Sequence, residues 1–240
     1  MKRAMLLALT IVVGLSAVRS DISPKIVQQV VAPAVALSTP MYAGDTMVGQ
    51  SACSGTIVRR GARLMILTAA HCVSQSLMTD GRYAPTTFRT FKEVEDKSVV
   101  DITGTATVVA VGGDEEQGQD DLALLSIDNP APVKNYATVA PAGTKYPVGS
   151  TVYNASNVWG RHHRVVMRGL ITARREPLGD KEMDMSDLSI RPGSSGSALQ
   201  FRQNGRLYIV GVVTRWDQHG ALCLSVPLAR IIGWSANVPK

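Results

Sequence analysis

The chain has 240 residues, of which 45% are hydrophobic and 18% charged, and its formal net charge is +6. This composition is that of a folded globular protein, because a disordered chain would carry fewer apolar residues and more charge. Only 5% of the residues are aromatic, and the basic pairs Arg59-Arg60 and Arg174-Arg175 are not interleaved with them. The positive charge therefore does not indicate nucleic-acid binding, and we expect no nucleic-acid partner.

The N-terminus predicts an export signal. Lys2 and Arg3 precede a mostly apolar run over residues 4–18, which ends near the small residues Ala17 and Ser20. These are the parts of a secretory signal peptide. The run is short for a membrane helix, which needs about 20 apolar residues, although an uncleaved anchor stays open as an alternative. We assign residues 1–20 to the signal and 21–34 to an N-terminal extension, and we expect a secreted or periplasmic protein with no other membrane contact.

Short strand-like segments dominate the rest of the chain, and turn signals separate them. This pattern favours a β-barrel or sandwich over alternating strands and helices. A Pro-rich stretch without periodicity, residues 129–143, predicts the connection between two β-rich halves. A C-terminal helix is predicted over residues 227–234, with proline at its start. The predicted strands are 35–37, 55–58, 64–68, 98–102, 106–111 and 122–127 in the first half, and 151–154, 164–167 with 169–171, 198–201 and 207–214 in the second.

One histidine stands at a position suited to a general base. The segment Leu67-Thr68-Ala69-Ala70-His71-Cys72 places it at a tight turn directly after a strand that is predicted to be buried. A turn of this kind can aim a side chain out of a rigid element, so His71 is the candidate base. The other three histidines lie in polar segments that contain glycine, and we expect them at the surface; they are His162, His163 and His219.

Two aspartates precede the apolar run 122–125, and either could supply the carboxylate that orients the base. Side chains alternate along a strand, so Asp120 and Asp121 should point to opposite faces and only one can serve. We predict Asp121, because it adjoins the apolar run and can be partly shielded from water. The acidic stretch 114–116 does not match a calcium-binding loop and is expected to be solvated. No metal or other cofactor is expected.

Small residues surround one hydroxyl group in the segment Gly193-Ser194-Ser195-Gly196. A serine nucleophile needs a base within hydrogen-bond reach and a carboxylate behind that base. The backbone N–H groups of Gly193 and Ser195 can form an oxyanion hole, since glycine lets the backbone approach a substrate carbonyl. Alone, the segment could be an ordinary Ser/Gly turn. The order His71, Asp121, Ser195 favours a serine hydrolase.

The three cysteines allow one bridge near the candidate base. Cys53 lies in a predicted strand that enters the same region, and Cys72 directly follows His71. A bridge between them would fasten the strand to the turn and could stabilise the fold by about 3 kcal/mol. Two buried free thiols are the alternative in a reducing compartment. Cys223 is expected to be a small core residue rather than a nucleophile.

These motifs resemble those of the chymotrypsin-like (trypsin-fold) serine proteases, and within them bacterial peptidases of the HtrA and glutamyl-endopeptidase kind. The resemblance implies two six-stranded antiparallel β-barrels, one over about residues 35–128 and one over about 147–235, with a short C-terminal helix and the active site between the barrels. It implies a triad of His71, Asp121 and Ser195, an oxyanion hole at Gly193 and Ser195, and the bridge Cys53–Cys72. The segments that carry it are 54–58, 67–72, 121–124, 190–199 and 210–213.

The chain also departs from that pattern. Ser194 stands where trypsin has the aspartate that pairs with a newly freed amino terminus, and no Ile-Val-Gly-Gly start is present. Activation by that ion pair is therefore not expected. Ser197 stands where glycine is usual. We expect no peptide-binding PDZ domain of the kind that HtrA proteins carry.

The same resemblance places Ser189 near the floor of the substrate pocket, with Thr214 and Trp216 along its wall. A serine floor carries no charge to pair with lysine or arginine, and no histidine stands where glutamate-specific relatives have one. We therefore expect a preference for small or medium apolar side chains.

The predicted function is that of an exported serine endopeptidase that acts on a protein or peptide substrate, as a monomer, through an acyl-enzyme. Two alternatives stay open: a catalytically silent binding protein of the same fold, and a polyprotein-processing serine protease of an RNA virus. The export signal argues against the second of these.

Overall fold

The computed structural model describes residues 22–94, 97–113, 120–158, 165–178, 181–216 and 222–238. The predicted signal peptide, the acidic stretch 114–116 and the three other histidines lie outside these ranges. Among the described residues, neither helix has the length and apolar character needed to span a membrane.

The described chain consists of thirteen strands between two helices. Two single 3-10 turns, Ala70–Cys72 and Ser74–Ser76, follow the third strand. The elements are α1 (Pro24–Val31), β1 (Ala34–Ala43), β2 (Thr46–Arg60), β3 (Arg63–Thr68), β4 (Thr86–Val94), β5 (Lys97–Val111), β6 (Ala123–Ile127), β7 (Thr138–Val139), β8 (Thr151–Ser156), β9 (Val165–Leu178), β10 (Lys181–Ser186), β11 (Ala198–Gln203), β12 (Arg206–Trp216), β13 (Cys223–Pro227) and α2 (Leu228–Asn237).

The first six strands close into an antiparallel barrel in the order β1-β2-β3-β6-β5-β4. Pairing of β1 with β4, at Leu37 and Phe88, completes the closure. Apolar side chains that alternate along the strands fill the interior, and closure leaves no free strand edge. The buried core of this barrel includes Leu37, Ile57, Ile66, Phe88 and Leu125.

The second sheet has the order β11-β8-β9-β10-β13-β12-β7, and β11 also pairs with β12. Six antiparallel strands therefore form a closed ring, to which the two-residue β7 adds in parallel beside β12. Its core contains Tyr146, Val152, Ile171, Leu199 and Val213. The predicted all-β fold with a trypsin-like pair of sheets and a short C-terminal helix is confirmed.

Two predicted strands, 98–102 and 106–111, are one continuous strand, β5. The intervening Gly104 does not end the strand. A Cβ atom there would lie 2.8 Å from the ring of Phe88, so glycine admits that ring into the barrel. Strands β4, β7, β10 and β13 and helix α1 were not predicted. Helix α1 lies within the predicted extension and packs Ile26, Val30 and Val31 against β8.

A buried polar cluster ties β9 and β10 to the second core. The Tyr146 hydroxyl donates to Asp184 Oδ2 at 2.8 Å, and the Arg175 N–H donates to Asp184 Oδ1 at 3.0 Å. The Arg174 guanidinium lies 3.8 Å from the centre of the Tyr146 ring. Burial raises the pKa of Asp184, and the hydrogen bond from Tyr146 opposes this only in part. Burial, with the nearby Asp184 carboxyl, also raises the pKa of Tyr146 to about 12, so its hydroxyl remains a donor at neutral pH.

This cluster should make stability depend on pH. Because the pKa of Asp184 is raised in the fold, the folded chain holds its proton more tightly than the unfolded chain does. The contribution to the free energy of unfolding is therefore complete below about pH 4 and is lost as pH rises through the folded pKa, by about 1.4 kcal/mol per unit of pKa difference. Asp184→Asn removes the titration and keeps an oxygen acceptor for Tyr146, so its stability should fall less over this range. Urea unfolding at a series of pH values measures how the free energy of unfolding changes with pH in wild type and in Asp184→Asn.

Asp80→Asn is the matched control, since Asp80 is a surface carboxylate paired with Arg82 at 2.5 Å. If the free energy of unfolding changed equally with pH in wild type and in Asp184→Asn, the buried carboxyl would not govern the pH dependence of stability.

Candidate active site

The paired ends of two strands bring His71 and Asp121 together. Strand β3 pairs with β6, with Thr68 opposite Ala123. His71 follows β3 in the turn Ala70–Cys72, and Asp121 lies just before β6. The His71 Nδ1 atom is 2.8 Å from Asp121 Oδ2, and the His71 backbone N–H donates to Oδ1 at 2.9 Å. With Nδ1–H donating to the carboxylate, the Nε2 atom carries the lone pair with which a histidine acts as a base.

The two adjacent aspartates point to different partners, as strand alternation predicts. Asp121 is 2% exposed and faces His71. Asp120 forms an ion pair with Arg230 on helix α2, with 2.7 Å between Arg230 Nε and Asp120 Oδ1. Only Asp121 is therefore placed to orient the histidine.

Ser195 lies in a loop of residues 191–197 between β10 and β11, which we call the nucleophile loop after the role predicted for Ser195. Its hydroxyl donates to the carbonyl oxygen of Thr214 on β12 at 3.0 Å. Gly193 and Gly196 have φ values of 92° and 81°, which non-glycine residues rarely adopt. The tight loop depends on these two glycines.

Two N–H groups of the nucleophile loop differ from their neighbours. The N–H groups of Ser194, Gly196 and Ser197 donate to the carbonyl oxygens of Arg191, Val213 and Ser194, at 2.9, 2.7 and 3.1 Å. Those of Gly193 and Ser195 donate to no carbonyl in the described part of the chain. Both residues are partly exposed. A pair of free N–H groups beside a serine hydroxyl is the arrangement that stabilises an oxyanion.

The loop packs tightly against the first barrel. A Cβ atom at Gly196 would lie 2.0 Å from Thr68 Oγ1 and 2.3 Å from the Ser54 carbonyl oxygen, so any larger residue would displace the loop. The Ser54 N–H donates to the Ser195 carbonyl at 2.8 Å. The backbone of Ser195 is thus fixed to strand β2.

Ser194 has neutral partners. Its hydroxyl is buried, lies 3.1 Å from the Ser156 hydroxyl and accepts the Arg191 N–H at 3.2 Å. These hydrogen bonds satisfy the side chain without a charged amine.

Cys53 and Cys72 form a disulfide that joins strand β2 to the turn carrying His71. The Cys72 sulfur lies 3.8 Å from His71 Nε2. The three side chains Cys53, His71 and Cys72 converge as a metal site would, and no other such group of three occurs among the described residues. Metals bind the thiolate form of cysteine, so the disulfide removes both sulfurs as ligands.

Cys223 is fully buried in the core of the second sheet, beside Val213 and Leu228. Burial raises the pKa of its thiol to about 12. The thiolate is the reactive form of cysteine, so this group is inert at neutral pH, in agreement with its prediction as a core residue.

The three predicted pocket residues differ in their placement. Ser189 is exposed between the buried Leu188 and Ile190. The Thr214 side chain is buried and donates to the Leu224 carbonyl at 3.4 Å, so its carbonyl oxygen, rather than its hydroxyl, faces Ser195. Trp216 is 41% exposed and lies opposite Cys223 in the sheet.

Two polar residues that were not predicted from the sequence hold the nucleophile loop. The Ser54 hydroxyl donates to the Gly193 carbonyl at 2.7 Å. The amide of Asn154 donates to the Ser197 hydroxyl at 2.8 Å and to the Ala198 carbonyl at 2.9 Å. Asn154 is a polar residue inside a predicted strand and Ser54 directly precedes one, and these positions were the available signal.

The sequence matches one protein-family model. Residues 53–212 match the model of the trypsin-like peptidase domain, and this span includes His71, Asp121 and Ser195. The chain belongs to the trypsin-like peptidase family. The prediction of a trypsin-fold, serine-type endopeptidase is confirmed at the level of that family.

Three solved structures share the fold. The HtrA-type protease AlgW with tripeptide has a TM-score of 0.64 at 21% identity, and the match covers 88% of this chain and 62% of that one. The structure of Deg5 has a TM-score of 0.63 at 16% identity, over 87% and 90% of the two chains. The serine endoprotease from Yersinia pestis has a TM-score of 0.61 at 19% identity, over 88% and 64%.

At these identities the likeness concerns the fold, and the chain spans less than two thirds of the AlgW and Yersinia pestis chains. No curated protein matches the sequence.

Proposed function

We propose that the protein is an exported serine endopeptidase that cleaves peptide bonds through His71, Asp121 and Ser195. The observation that carries the proposal is the double contact of Asp121, which accepts both the ring and the backbone N–H of His71, at 2.8 and 2.9 Å. This contact holds the ring in the tautomer that a general base requires. Family membership and the two free N–H groups of the nucleophile loop support the same chemistry.

The proposed reaction begins when the Ser195 hydroxyl turns from the Thr214 carbonyl towards His71. Nε2 takes the hydroxyl proton as Oγ bonds to the substrate carbonyl carbon, and the carbonyl electron pair moves to the oxygen. The N–H groups of Gly193 and Ser195 stabilise that oxyanion. The electron pair on the oxyanion then re-forms the carbonyl double bond, the C–N bond breaks, and His71 gives its proton to the leaving amine. Water then repeats the sequence on the acyl-enzyme and regenerates Ser195.

The proposed substrate preference is for small or medium apolar side chains. Ser189 is uncharged and stands between the buried Leu188 and Ile190, and the large ring of Trp216 lies at the described end of β12. Peptides that differ only in the residue before the cleaved bond test this part. Higher kcat/KM for alanine or valine than for arginine or glutamate is expected, and a clear preference for a charged residue would contradict it.

Export is proposed from the predicted signal and the disulfide. Structural disulfides persist in oxidising compartments such as the periplasm and the extracellular space. Mass spectrometry of the protein recovered from the medium or periplasm should find a new N-terminus near residue 20 and no free thiol at Cys53 or Cys72.

Hydrolysis of unfolded casein tests the proposed activity as a whole. Wild type should produce peptides, and Ser195→Ala should produce none above background while it retains the wild-type melting temperature. A folded wild type without activity on casein or on the peptide panel would favour the silent binding protein.

A further inference from the structure

We infer that Ser54 is a positioning residue for the oxyanion hole, an inference that rests on the proposed function. Its hydroxyl, on strand β2 of the first barrel, donates to the Gly193 carbonyl at 2.7 Å. The two residues are 139 positions apart, and their contact fastens the nucleophile loop to the other barrel. Ser54 does not reach the reacting atoms itself.

The environment of Ser54 directs its single hydroxyl proton. The N–H of Asn157 donates to Ser54 Oγ at 2.8 Å, so the oxygen already serves as an acceptor there. A serine hydroxyl has one proton, and that proton remains for the Gly193 carbonyl. Ser54 is fully buried, so water does not compete for this bond.

The backbone of Ser54 is anchored as well. Its carbonyl oxygen accepts the Thr68 hydroxyl at 2.7 Å, and its N–H donates to the Ser195 carbonyl at 2.8 Å. Thr68 ends the strand that leads to His71. Ser54 therefore contacts both residues whose N–H groups would form the hole, and it is tied to the strand that positions the base.

The peptide group between Gly193 and Ser194 is held at both ends. Ser54 holds its carbonyl oxygen, and its N–H donates to the Arg191 carbonyl at 2.9 Å. This planar group lies between the two peptide groups that carry the free N–H groups. Gly193 is itself flexible, so its backbone needs an external contact to keep one direction. Without the Ser54 hydroxyl, the Gly193 N–H can turn away from the developing oxyanion.

Ser54→Ala tests this assignment. Complete removal of one oxyanion donor costs about 10²- to 10³-fold in kcat. A misdirected donor should cost less, so we expect kcat to fall by about 10- to 100-fold, with KM within about twofold of wild type. The inhibition constant of a peptidyl trifluoromethyl ketone, which forms a tetrahedral adduct, should rise by the factor by which kcat falls. Ser54→Thr retains the hydroxyl and should recover kcat to within a few-fold of wild type.

Thr39→Val is the matched control for loss of a buried hydroxyl from the same barrel. The Thr39 hydroxyl bonds that of Thr86 at 3.2 Å, away from the nucleophile loop. This variant should lower the melting temperature and leave kcat unchanged. A purely structural role for Ser54 would make the two variants behave alike.

The outcomes separate this inference from the proposed function. If wild type cleaves casein and Ser54→Ala has the wild-type kcat, the assignment of Ser54 is wrong, and the proposed function as a serine endopeptidase is still supported. If folded wild type has no activity, both are wrong. Should Ser54→Ala fail to fold, Ser54→Thr decides: a fall in kcat above tenfold at an unchanged melting temperature overturns the assignment.

Discussion

Asp121→Asn should lower kcat by about 10⁴-fold with little change in the fold. The reason lies in the two contacts of the carboxylate, at 2.9 Å from the His71 backbone N–H and at 2.8 Å from Nδ1. A backbone N–H can only donate, so it would take the amide oxygen of the new asparagine. The amide NH₂ group would then face Nδ1 and force the histidine proton onto Nε2. In that tautomer His71 cannot accept the Ser195 proton. Steady-state hydrolysis of a peptide ester or amide measures the loss.

Asp120→Asn is the matched control for this prediction. Asp120 is the preceding residue, with the same side chain, but it pairs with Arg230 on helix α2. Its replacement should change kcat by less than about threefold, because a partly exposed ion pair contributes little. An Asp120→Asn enzyme as impaired as Asp121→Asn, or an Asp121→Asn enzyme within tenfold of wild type, would contradict the assigned triad.

Removal of the Cys53–Cys72 disulfide should have the second large effect. The bridge closes a loop with a sequence separation of 19 and holds the turn that carries His71. The double replacement by alanine should lower the free energy of unfolding by about 3 kcal/mol. In a chain of this size the melting temperature should fall by about 6–12 °C. The residual activity should also decline at temperatures below that transition, because the turn loses its covalent attachment to β2.

Sensitivity to a dithiol reductant provides the control. Wild type should lose stability when reduced, and the double alanine variant should not respond further. Cys223→Ala should respond as wild type does, because that buried thiol takes no part in the bridge. A wild type whose melting temperature is unchanged after complete reduction would show that the disulfide does not hold the fold.

The three residues of the proposed triad could be singled out from the sequence because each stands in a short local motif. His71 ends a strand-and-turn segment, Ser195 lies between two glycines, and Asp121 adjoins an apolar run. Strand alternation indicated that only one of the two aspartates could serve, the adjoining apolar run favoured Asp121, and the structure places the two on different partners.

The supporting residues could not be predicted because their partners are distant in sequence. Ser54 and Gly193 are 139 positions apart, and Tyr146 and Asp184 are 38 apart. Nothing local to either residue identifies such a pair. Strand β10 was missed for a related reason: Lys181–Ser186 carries charged and polar side chains, and its place in the sheet depends on pairing with β9 and β13.

Covalent labelling with a fluorophosphonate tests the central claim, that Ser195 is a nucleophile activated by His71 and Asp121. Such a reagent phosphonylates an activated serine and releases fluoride, and peptide mapping locates the label. We expect one label per chain, on Ser195, with labelling strongly slowed in His71→Ala and absent in Ser195→Ala. Unlabelled folded wild type, or a label on another serine that persists in Ser195→Ala, would contradict the claim.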